Sequence, residues 1–352
     1  MVQVEAPDTV PLRLQGGAER PLIEVRNLKT HFVTEEGVVR AVDGASFEIQ
    51  RGKTLGVVGE SGCGKSVAAR SILQIVDRPG RIVGGEIIYR SGRAQPSGEL
   101  DLLALAPNSE EIRAIRGGSI SMIFQEPMSS FSPVHTFGNQ IVEAIRLHKD
   151  ASIREARTLA VEWLERVGMP NPRLRLTEYP HQLSGGQRQR AMIAMALSTN
   201  PEMLIADEPT TALDVTTQAQ ILDLLRQLQA ETGMAILFIT HDLGVVAELA
   251  DDVAVMYLGR VVEHGPVRSI FENPKHPYTK ALLSSIPRID AENRERLPSI
   301  VGAIPHPYNR PPGCPFHPRC PAYMVGTCEK RTPNLVDVGA RHEAACFLYE
   351  GA

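Results

Sequence analysis

Residues 59–66 read GESGCGKS, and this stretch decides the fold. It matches G-x-x-x-x-G-K-[S/T], the pattern of a phosphate-binding P-loop. Residues 54–58, TLGVV, read as a short buried strand in front of the loop, and residues 67–73, VAARSIL, read as the first turns of a helix behind it. A strand, a glycine-rich loop and a helix in that order form the context that the motif requires. The stretch therefore predicts an α/β fold built around a phosphate-binding loop.

The residues of this loop have distinct expected roles. Glycines let the backbone curl and turn its N–H groups toward an anion, and the N-terminus of the following helix adds a partial positive charge. Lys65 is expected to reach the β- and γ-phosphates of a nucleotide, and Ser66 to offer its hydroxyl to Mg²⁺. The other predicted nucleotide-binding residues of the loop are Gly59, Glu60, Ser61, Gly62, Cys63 and Gly64. Cys63 reads as a small filler residue of the loop, and the same helix N-terminus favours a lowered pKa of its thiol and sensitivity to thiol reagents.

Length and composition limit the class of protein. A chain of 352 residues has room for about two or three domains, and its net charge of −4 does not support a general binder of nucleic acids or anionic membranes. The strongest apolar run, residues 234–239, is far shorter than a membrane span, and residues 1–17 lack the pattern of a secretory signal. We therefore expect a cytosolic protein. In that compartment its five cysteines are better candidates for a metal or cluster site than for disulfides.

Composition and patterning divide the chain into three predicted parts. Residues 1–20 read as a flexible tail, residues 21–265 as a nucleotide-binding domain that opens with antiparallel β-structure, and residues 266–352 as a C-terminal extension. Helix signals over about residues 126–185 predict a helical subdomain inserted into the α/β core, and residues 152–155 form a capping box within it.

Two residues next to predicted strands have alternative interpretations. Phe32 is suited either to stacking on an adenine ring or to a place in the core, and its spacing favours neither. Gln125 follows the strand predicted at residues 119–124. A glutamine at a strand end that faces a phosphate site is able to hold a metal-bound or attacking water. Without that context, Gln125 reads as a solvated loop residue.

Residues 183–187, LSGGQ, open a further predicted helix. Ser184 is a good N-cap, and Gly185 and Gly186 leave the helix N-terminus bare enough for a phosphate to approach. Read alone, the segment is a helix cap with two glycines. Because the segment, residues 183–187, follows a P-loop in the sequence, it predicts a second phosphate-binding surface, which includes Gln187.

Two more predicted strands end in residues suited to catalysis. Residues 203–207, MLIAD, end in Asp207, which fits a Walker B aspartate bound to Mg²⁺ directly or through water. Glu208 follows at once and is placed to polarise the water that attacks the γ-phosphate. His241 follows the strand predicted at residues 235–239, and ligands of α/β proteins bind at such strand ends.

Together these motifs resemble those of the ATP-binding cassette (ABC) ATPases, and they occur in that family's order across roughly residues 22–265. The resemblance implies a P-loop (RecA-like) core with an antiparallel β subdomain and an inserted α-helical subdomain. It also implies that two cassettes dimerise head to tail, with each ATP between the P-loop of one and the LSGGQ segment of the other. The site roles that it implies are adenine stacking by Phe32, Mg²⁺ binding by Ser66, Gln125 and Asp207, catalysis by Glu208, His241 and Gln125, and nucleotide contacts from Ser184, Gly185, Gly186, Gln187 and Asp214.

Within that family the chain is similar to the ATPase subunits of dipeptide and oligopeptide permeases. The similarity rests on residues 273–283, NPKHPYTKALL, on the start of the P-loop, and on residues 126–133, EPMSSFSP. The group more usually has Leu-Asn at positions 131–132, so this chain departs from it in the region that contacts the membrane subunits. A nickel or sugar importer subunit is an alternative, and a soluble nucleic-acid-linked ATPase is a less favoured one.

This resemblance implies a set of partners. A single cassette in a chain without a membrane span resembles a peripheral subunit on the cytoplasmic side of the inner membrane of a bacterium. Its expected partners are a second, different ATPase subunit, two transmembrane permease subunits and an extracytoplasmic substrate-binding protein. No nucleic-acid partner is expected.

Four cysteines, with the spacing C-x5-C-x7-C-x17-C, lie in the last part of the chain: Cys314, Cys320, Cys328 and Cys346. Four thiolates are able to hold either Zn²⁺ or an iron–sulfur cluster, and the spacing matches neither zinc ribbons nor bacterial ferredoxins. Peptide-permease ATPases with such a tail resemble proteins that carry a [4Fe-4S] cluster, so the resemblance implies that cluster, with Zn²⁺ as the alternative. We expect this group to be structural or regulatory and remote from the nucleotide.

Overall fold

The computed structural model describes residues 20–92, 98–125, 130–211, 213–286, 300 and 302–350. The predicted tail at residues 1–20 lies outside this part apart from Arg20, and so do residues 126–129 at the start of the predicted helical subdomain.

Strands and helices alternate through the described part of the chain, so the predicted α/β class is confirmed. The strands are β1 (Ile23–Thr34), β2 (Gly37–Ile49), β3 (Thr54–Val58), β4 (Gly80–Arg90), β5 (Glu99–Asp101), β6 (Ile120–Ile123), β7 (Met203–Asp207), β8 (Ala235–Ile239), β9 (Asp252–Tyr257), β10 (Arg260–Pro266), β11 (Val336–Gly339) and β12 (His342–Ala344). The helices are α1 (Lys65–Ile72), α2 (Glu110–Ile115), α3 (Phe137–His148), α4 (Ile153–Arg166), α5 (Pro172–Arg175), α6 (Gly185–Leu197), α7 (Val215–Thr232), α8 (Leu243–Leu249), α9 (Val267–Glu272) and α10 (Pro277–Ser284). None of these helices has the length and apolar character that crossing a membrane requires.

The described residues build a core sheet of eight strands in the order β11-β12-β10-β9-β3-β8-β7-β6. The strands from β9 to β6 run parallel, and β10, β12 and β11 continue the sheet in antiparallel fashion. Every residue of β3, β7 and β8 is buried. Strands that are covered on both faces are expected to be unbroken apolar runs. This explains why the sequence alone predicts strands at these three positions.

A second sheet, β2-β1-β4-β5, is antiparallel throughout and corresponds to the predicted antiparallel subdomain. Val25 and Phe47 of this sheet share one buried hydrophobic cluster with Leu55 of β3 and Ala68 of α1. Burial of apolar side chains in a common cluster stabilises the contact between the two sheets. The antiparallel sheet is therefore packed against the elements on either side of residues 59–64.

Helices α3 to α5 lie within residues 126–185, where the sequence predicted a helical subdomain, and α6 begins at the end of that range. Ser152 and Glu155 form the expected capping box at the start of α4, in which the serine hydroxyl accepts from the Glu155 backbone and the glutamate carboxylate accepts from the Ser152 backbone. Phe137 and Trp163 pack in a buried cluster that also contains Leu204 of β7. The helical part is thereby attached to the core sheet at the strand that ends in Asp207.

The chain beyond residue 265 extends the core sheet, because β12 pairs with β10, with Glu263 opposite Ala344. Glu263 is fully buried, and its carboxylate accepts from the backbone N–H groups of Lys275 at 2.6 Å and His276 at 2.9 Å. The Nε2 atom of His342 lies 2.7 Å from the same carboxylate. The predicted domain boundary at residue 265 stays a prediction.

Candidate nucleotide-binding site

The loop 59–64 leaves β3 at the middle of the core sheet and leads directly into α1. Gly64 is the N-cap of α1 with φ 103°, and within the described part of the chain no side chain caps this helix. Gly59 also has a positive φ, 152°, and a β-carbon there would collide with the Met256 carbonyl oxygen. A β-carbon at Gly64 would collide with the carbonyl oxygen of Ala41. Glycine is therefore required at both positions, and the first amides of α1 are left available to bind an anion.

Lys65 lies over the loop that precedes it. Its Nζ atom donates to the carbonyl oxygen of Gly59 at 2.8 Å and to that of Glu60 at 3.2 Å, and the side chain is buried. These two bonds hold a positive charge at the loop. The combination suits a polyphosphate, whose β- and γ-groups a P-loop lysine contacts.

Ser66 and Asp207 form a candidate metal-binding pair. The Ser66 hydroxyl donates to Asp207 Oδ1 at 2.8 Å, while Oδ2 of this fully buried aspartate has no hydrogen-bond partner among the described residues. Burial raises the pKa of Asp207, and the Ser66 hydroxyl opposes that rise. An unpartnered buried carboxylate oxygen beside a hydroxyl fits Mg²⁺, which takes oxygen ligands.

The three predicted catalytic residues come together at the carboxyl ends of neighbouring strands. Glu208 accepts from Gln125 Nε2 at 3.1 Å, and its carboxylate lies 3.4 Å from His241 Nδ1. Gln125, Glu208 and His241 follow β6, β7 and β8, which are adjacent in the sheet. Thr211 also donates to this carboxylate, at 2.9 Å, and is a residue that the sequence reasoning missed.

The backbone of Glu208 is in an unusual conformation for a residue with a side chain. Its φ is +46°, and its N–H donates to the Ile239 carbonyl oxygen at 2.9 Å. A non-glycine residue in the left-handed region is uncommon and is found repeatedly at functional sites. This turn after β7 directs the Glu208 carboxylate toward Gln125 and His241.

Residues 183–187 lie against the start of α7. Ser184 is the N-cap of α6, and it forms a reciprocal capping box with Gln187, with bonds of 3.3 and 3.0 Å. Gly186 lies so close to Thr217 that a β-carbon would come within 2.9 Å of its methyl carbon. Asp214 caps α7 by accepting from the Thr217 backbone at 2.9 Å. The structure therefore groups the LSGGQ segment with Asp214.

Phe32 is half-buried in β1, where it pairs with Val39 on one side and Gly80 on the other. Its ring lies against Gly80, since a β-carbon built there would come within 2.8 Å of the Phe32 Cε1 atom. The adenine-stacking role of Phe32 stays a prediction.

The predicted lowering of the Cys63 pKa is wrong, and the sensitivity of this thiol to reagents stays a prediction. Its side chain is buried in the cluster that joins the two sheets, and this burial raises the pKa of the thiol. The nearby Lys65 ammonium acts in the opposite direction and is the weaker influence. Removal of a thiolate from water outweighs the attraction of a single charge here, so Cys63 is a protonated core residue.

The predicted iron–sulfur cluster, with its zinc alternative, is also wrong. The described residues include all four tail cysteines, yet they contain no group of three or more His, Cys, Asp or Glu side chains that could hold a metal ion. Burial raises the pKa of Cys314 to about 11 and also raises the pKa of Cys320 and Cys346. Burial is the largest cause of each of these three shifts.

Two residues that contact the loop 59–64 come from the C-terminal extension and were missed by the sequence reasoning. The Tyr278 hydroxyl accepts from the Glu60 N–H at 2.9 Å, and Arg319 binds the Glu60 carboxylate at 2.8 and 3.0 Å. Tyr278 lies in the stretch 273–283 that carried the family resemblance, but no pattern in the sequence linked either residue to the loop.

The fold and this site define a P-loop nucleoside triphosphatase: a glycine-rich loop between the central strand β3 and a helix, with a buried aspartate and a glutamate at the end of β7, which β8 separates from β3.

Comparison with known proteins gives the family. Residues 42–211 match the model of the ABC transporter family, and residues 262–328 match that of the C-terminal region of oligopeptide/dipeptide transporters. A "probable peptide ABC transporter ATP-binding protein" of Sinorhizobium fredii is 49% identical over 96% of this chain and 98% of its own length. A protein of Brucella melitensis, described as a peptide import ATP-binding protein, is 49% identical over 95% of this chain and 98% of its own length. The chain belongs to the ABC transporter family of ATP-binding proteins, and it is an ATP hydrolase.

Solved structures agree with this assignment. The dimeric post-hydrolysis state of an ATP-binding cassette bound to ADP and Pi matches with a TM-score of 0.60 and 26% identity, over 70% of this chain and 99% of that one. An ABC transporter component of Clostridium perfringens matches with a TM-score of 0.59 and 26% identity, over 72% of this chain and 92% of that one. The predicted cassette fold and the resemblance to peptide-permease ATPases are both confirmed.

Proposed function

We propose that this chain is the ATP-hydrolysing subunit of an ABC importer for dipeptides or oligopeptides. One observation carries the proposal: a single chain contains both a cassette and the C-terminal region of oligopeptide/dipeptide transporters. In the cassette, Gln125 and His241 both contact the Glu208 carboxylate. The two relatives described above, which align over nearly their full lengths, are named for peptide transport or import.

ATP binds with its phosphates on the loop 59–66, where Lys65 offsets their negative charge. The Ser66 hydroxyl and Asp207 would hold Mg²⁺, with Gln125 as a further ligand, and the ion would supply neutralisation of the charge that develops on the phosphates. The unpartnered Oδ2 atom of Asp207 supports this assignment. Glu208 polarises the attacking water, while Gln125 and His241 fix the position of its carboxylate through the contacts at 3.1 and 3.4 Å.

The remaining half of each site comes from a second cassette. Residues 184–187 and Asp214 lie together at the start of α7, where Gly186 approaches Thr217 and Asp214 caps the helix. The match to a dimeric ATP-binding cassette supports a dimer, and we propose that it is head to tail, so that the LSGGQ segment of one subunit completes the site of the other. We propose a different ATPase subunit as the partner, since peptide permeases resemble systems with two different ATPase subunits.

The importer that we propose has two transmembrane permease subunits and an extracytoplasmic substrate-binding protein, with this chain on the cytoplasmic side of the inner membrane. ATP binding closes the pair of cassettes, and closure changes the access of the permease subunits to the substrate. Hydrolysis reopens the pair. Substrate choice then belongs to the partners, so import assays of the assembled complex with peptides, nickel chelates and sugars identify the substrate.

The Glu208→Gln variant tests the catalytic assignment. An amide accepts a water hydrogen bond but does not act as a base, so we expect phosphate release to fall by about 10²-fold or more while ATP stays bound. Retained ATP should trap the closed dimer, which size-exclusion chromatography with Mg-ATP and the sister cassette would detect. Glu162→Gln, at an exposed position of α4, is the matched control and should hydrolyse ATP normally.

Normal steady-state hydrolysis by Glu208→Gln would exclude this glutamate as the base. Stimulation of the wild-type ATPase by DNA or ribosomes, without stimulation by the permease subunits, would favour a nucleic-acid-linked ATPase instead.

A further inference from the structure

Glu60, the second residue of the loop 59–66, is held at its backbone and at its side chain by the C-terminal extension. Its N–H donates to the Tyr278 hydroxyl at 2.9 Å. Its two carboxylate oxygens accept from two guanidinium nitrogens of Arg319, at 2.8 and 3.0 Å. Paired bonds of this kind fix the relative orientation of the two groups as well as their distance. The extension therefore contacts the phosphate-binding loop directly.

The two residues that hold Glu60 are themselves held rigidly. Tyr278 is fully buried, with its ring centre 4.7 Å from that of Tyr257 and 5.4 Å from that of Phe316. The Arg319 side chain is 4% exposed, and its guanidinium lies 5.8 Å from the Tyr257 ring centre and 3.3 Å from the Tyr257 hydroxyl. Because packing locks these side chains, they hold Glu60 in place rather than follow its movements.

Glu60 in turn contacts the residue that meets the nucleotide. Its carbonyl oxygen accepts from Lys65 Nζ at 3.2 Å, and the preceding carbonyl, of Gly59, accepts at 2.8 Å. Rotation of the residue 60 backbone would displace both the N–H bonded to Tyr278 and an acceptor of the lysine ammonium. A continuous series of contacts thus leads from Arg319 through Glu60 to Lys65.

We propose that Arg319 is a positioning residue for nucleotide binding, which acts through Glu60 to hold the loop and Lys65 in the geometry that binds phosphates. The inference rests on the proposed binding of ATP at the loop 59–66. An exposed ion pair would contribute little, but this pair is largely removed from water, where loss of one partner leaves the other uncompensated. The extension is therefore part of the ATP site, in addition to being the region that marks the peptide-transport group.

The test compares ATP affinity with stability in the full-length chain. Arg319→Met keeps a long side chain against Tyr257 but does not pair with Glu60, and we expect the Kd for Mg-ATP to rise about tenfold. Arg319→Lys restores the charge without the paired geometry, so we expect partial recovery of affinity. Displacement of trinitrophenyl-ATP gives the Kd, and circular dichroism without nucleotide gives the Tm.

Arg310→Met is the matched control. Arg310 lies in the same extension and donates to Asp43 at 2.8 Å. The side chains of this pair are 17% and 16% exposed, so the pair is also largely buried. Unlike Glu60, Asp43 lies outside the loop 59–66. We expect its removal to lower the Tm without raising the Kd, because a structural ion pair affects stability alone.

A double substitution separates the pair from other effects. In Glu60→Gln/Arg319→Gln two neutral amides replace the ions, and we expect this double variant to bind ATP more tightly than Arg319→Gln alone.

If Arg319→Met does not fold, Glu60→Gln tests the same pair from the loop side. Unchanged Kd in Arg319→Met, or an equal rise in Arg310→Met, would overturn the inference. Failure of the wild-type chain to bind Mg-ATP would instead overturn the proposed nucleotide site.

Discussion

Asp207 and Glu208 are neighbours in sequence, but the fold gives their carboxylates different surroundings. Asp207 is fully buried beside Ser66, and one of its oxygens has no hydrogen-bond partner in the described part of the chain. Glu208 turns away through a positive φ and meets Gln125 and His241. Two adjacent acidic residues are thereby suited to two tasks, metal binding and polarisation of water.

The burial of Asp207 leads to a prediction about metal and stability together. Burial raises the pKa of Asp207, so the charged form is disfavoured in the folded protein and the stability attached to this group falls as pH rises through that raised pKa. We expect Asp207→Asn to raise the Tm at pH 7 without nucleotide and to weaken Mg²⁺ binding by about tenfold or more.

A Mg²⁺ titration of ATP binding, with thermal unfolding of the same samples, measures both effects. Asp223→Asn, on an exposed part of α7, is the control and should change neither. A variant that lost stability while keeping normal Mg²⁺ dependence would contradict the role of Asp207.

At the scale of elements, two helices begin with the same capping box but differ in expected function. Ser184 caps α6 with Gln187, and Ser152 caps α4 with Glu155. Loss of a serine N-cap destabilises a protein by about 1 kcal/mol. We expect Ser184→Ala and Ser152→Ala to lower the free energy of unfolding by this similar amount, whereas only Ser184→Ala should reduce the ATPase activity of the assembled cassettes.

Urea unfolding and phosphate release distinguish the two effects. Equal activity of the two variants would mean that residues 184–187 serve only to cap α6. Another surface of the second cassette would then have to complete the nucleotide site.

At the scale of the whole molecule, the extension and the cassette share one sheet and one buried polar group. The Glu263 carboxylate binds two backbone N–H groups of the segment before α10 and contacts His342 of β12 at 2.7 Å. Removal of the carboxylate leaves these buried groups without their partner. We expect Glu263→Ala to lower the free energy of unfolding by about 3 kcal/mol, with loss of cassette and extension in a single transition.

Urea unfolding followed by Trp163 fluorescence and by circular dichroism measures this effect. Glu343→Ala is the control, since Glu343 lies next to His342 on the partly exposed face of β12, and its loss should change stability little. Separate transitions in the two signals for Glu263→Ala would show that the extension unfolds on its own.

The sequence by itself determined the features that depend on a few consecutive residues. A P-loop, a capping box and a strand that ends in Asp207 are each encoded locally, because backbone conformation, helix capping and burial of an unbroken apolar strand depend on neighbouring residues. These local signals occurred in the order of one family, and the class of ATPase followed from them. The domain limits and the adenine-stacking role of Phe32 stay predictions.

Only the tertiary structure decided which distant groups meet and which are kept from water. Glu208 meets Gln125 and His241 because their strands are adjacent in the sheet, and Glu60 meets Arg319 across 259 residues. The cysteines also depend on the tertiary structure, because the fold removes their thiols from water. Clustering of the tail cysteines predicted thiolate ligands, and a helix N-terminus predicted a lowered pKa for Cys63, but burial raises the pKa of both Cys63 and Cys314. Sequence spacing does not report desolvation, since the solvation of a group is set by what the whole fold packs around it.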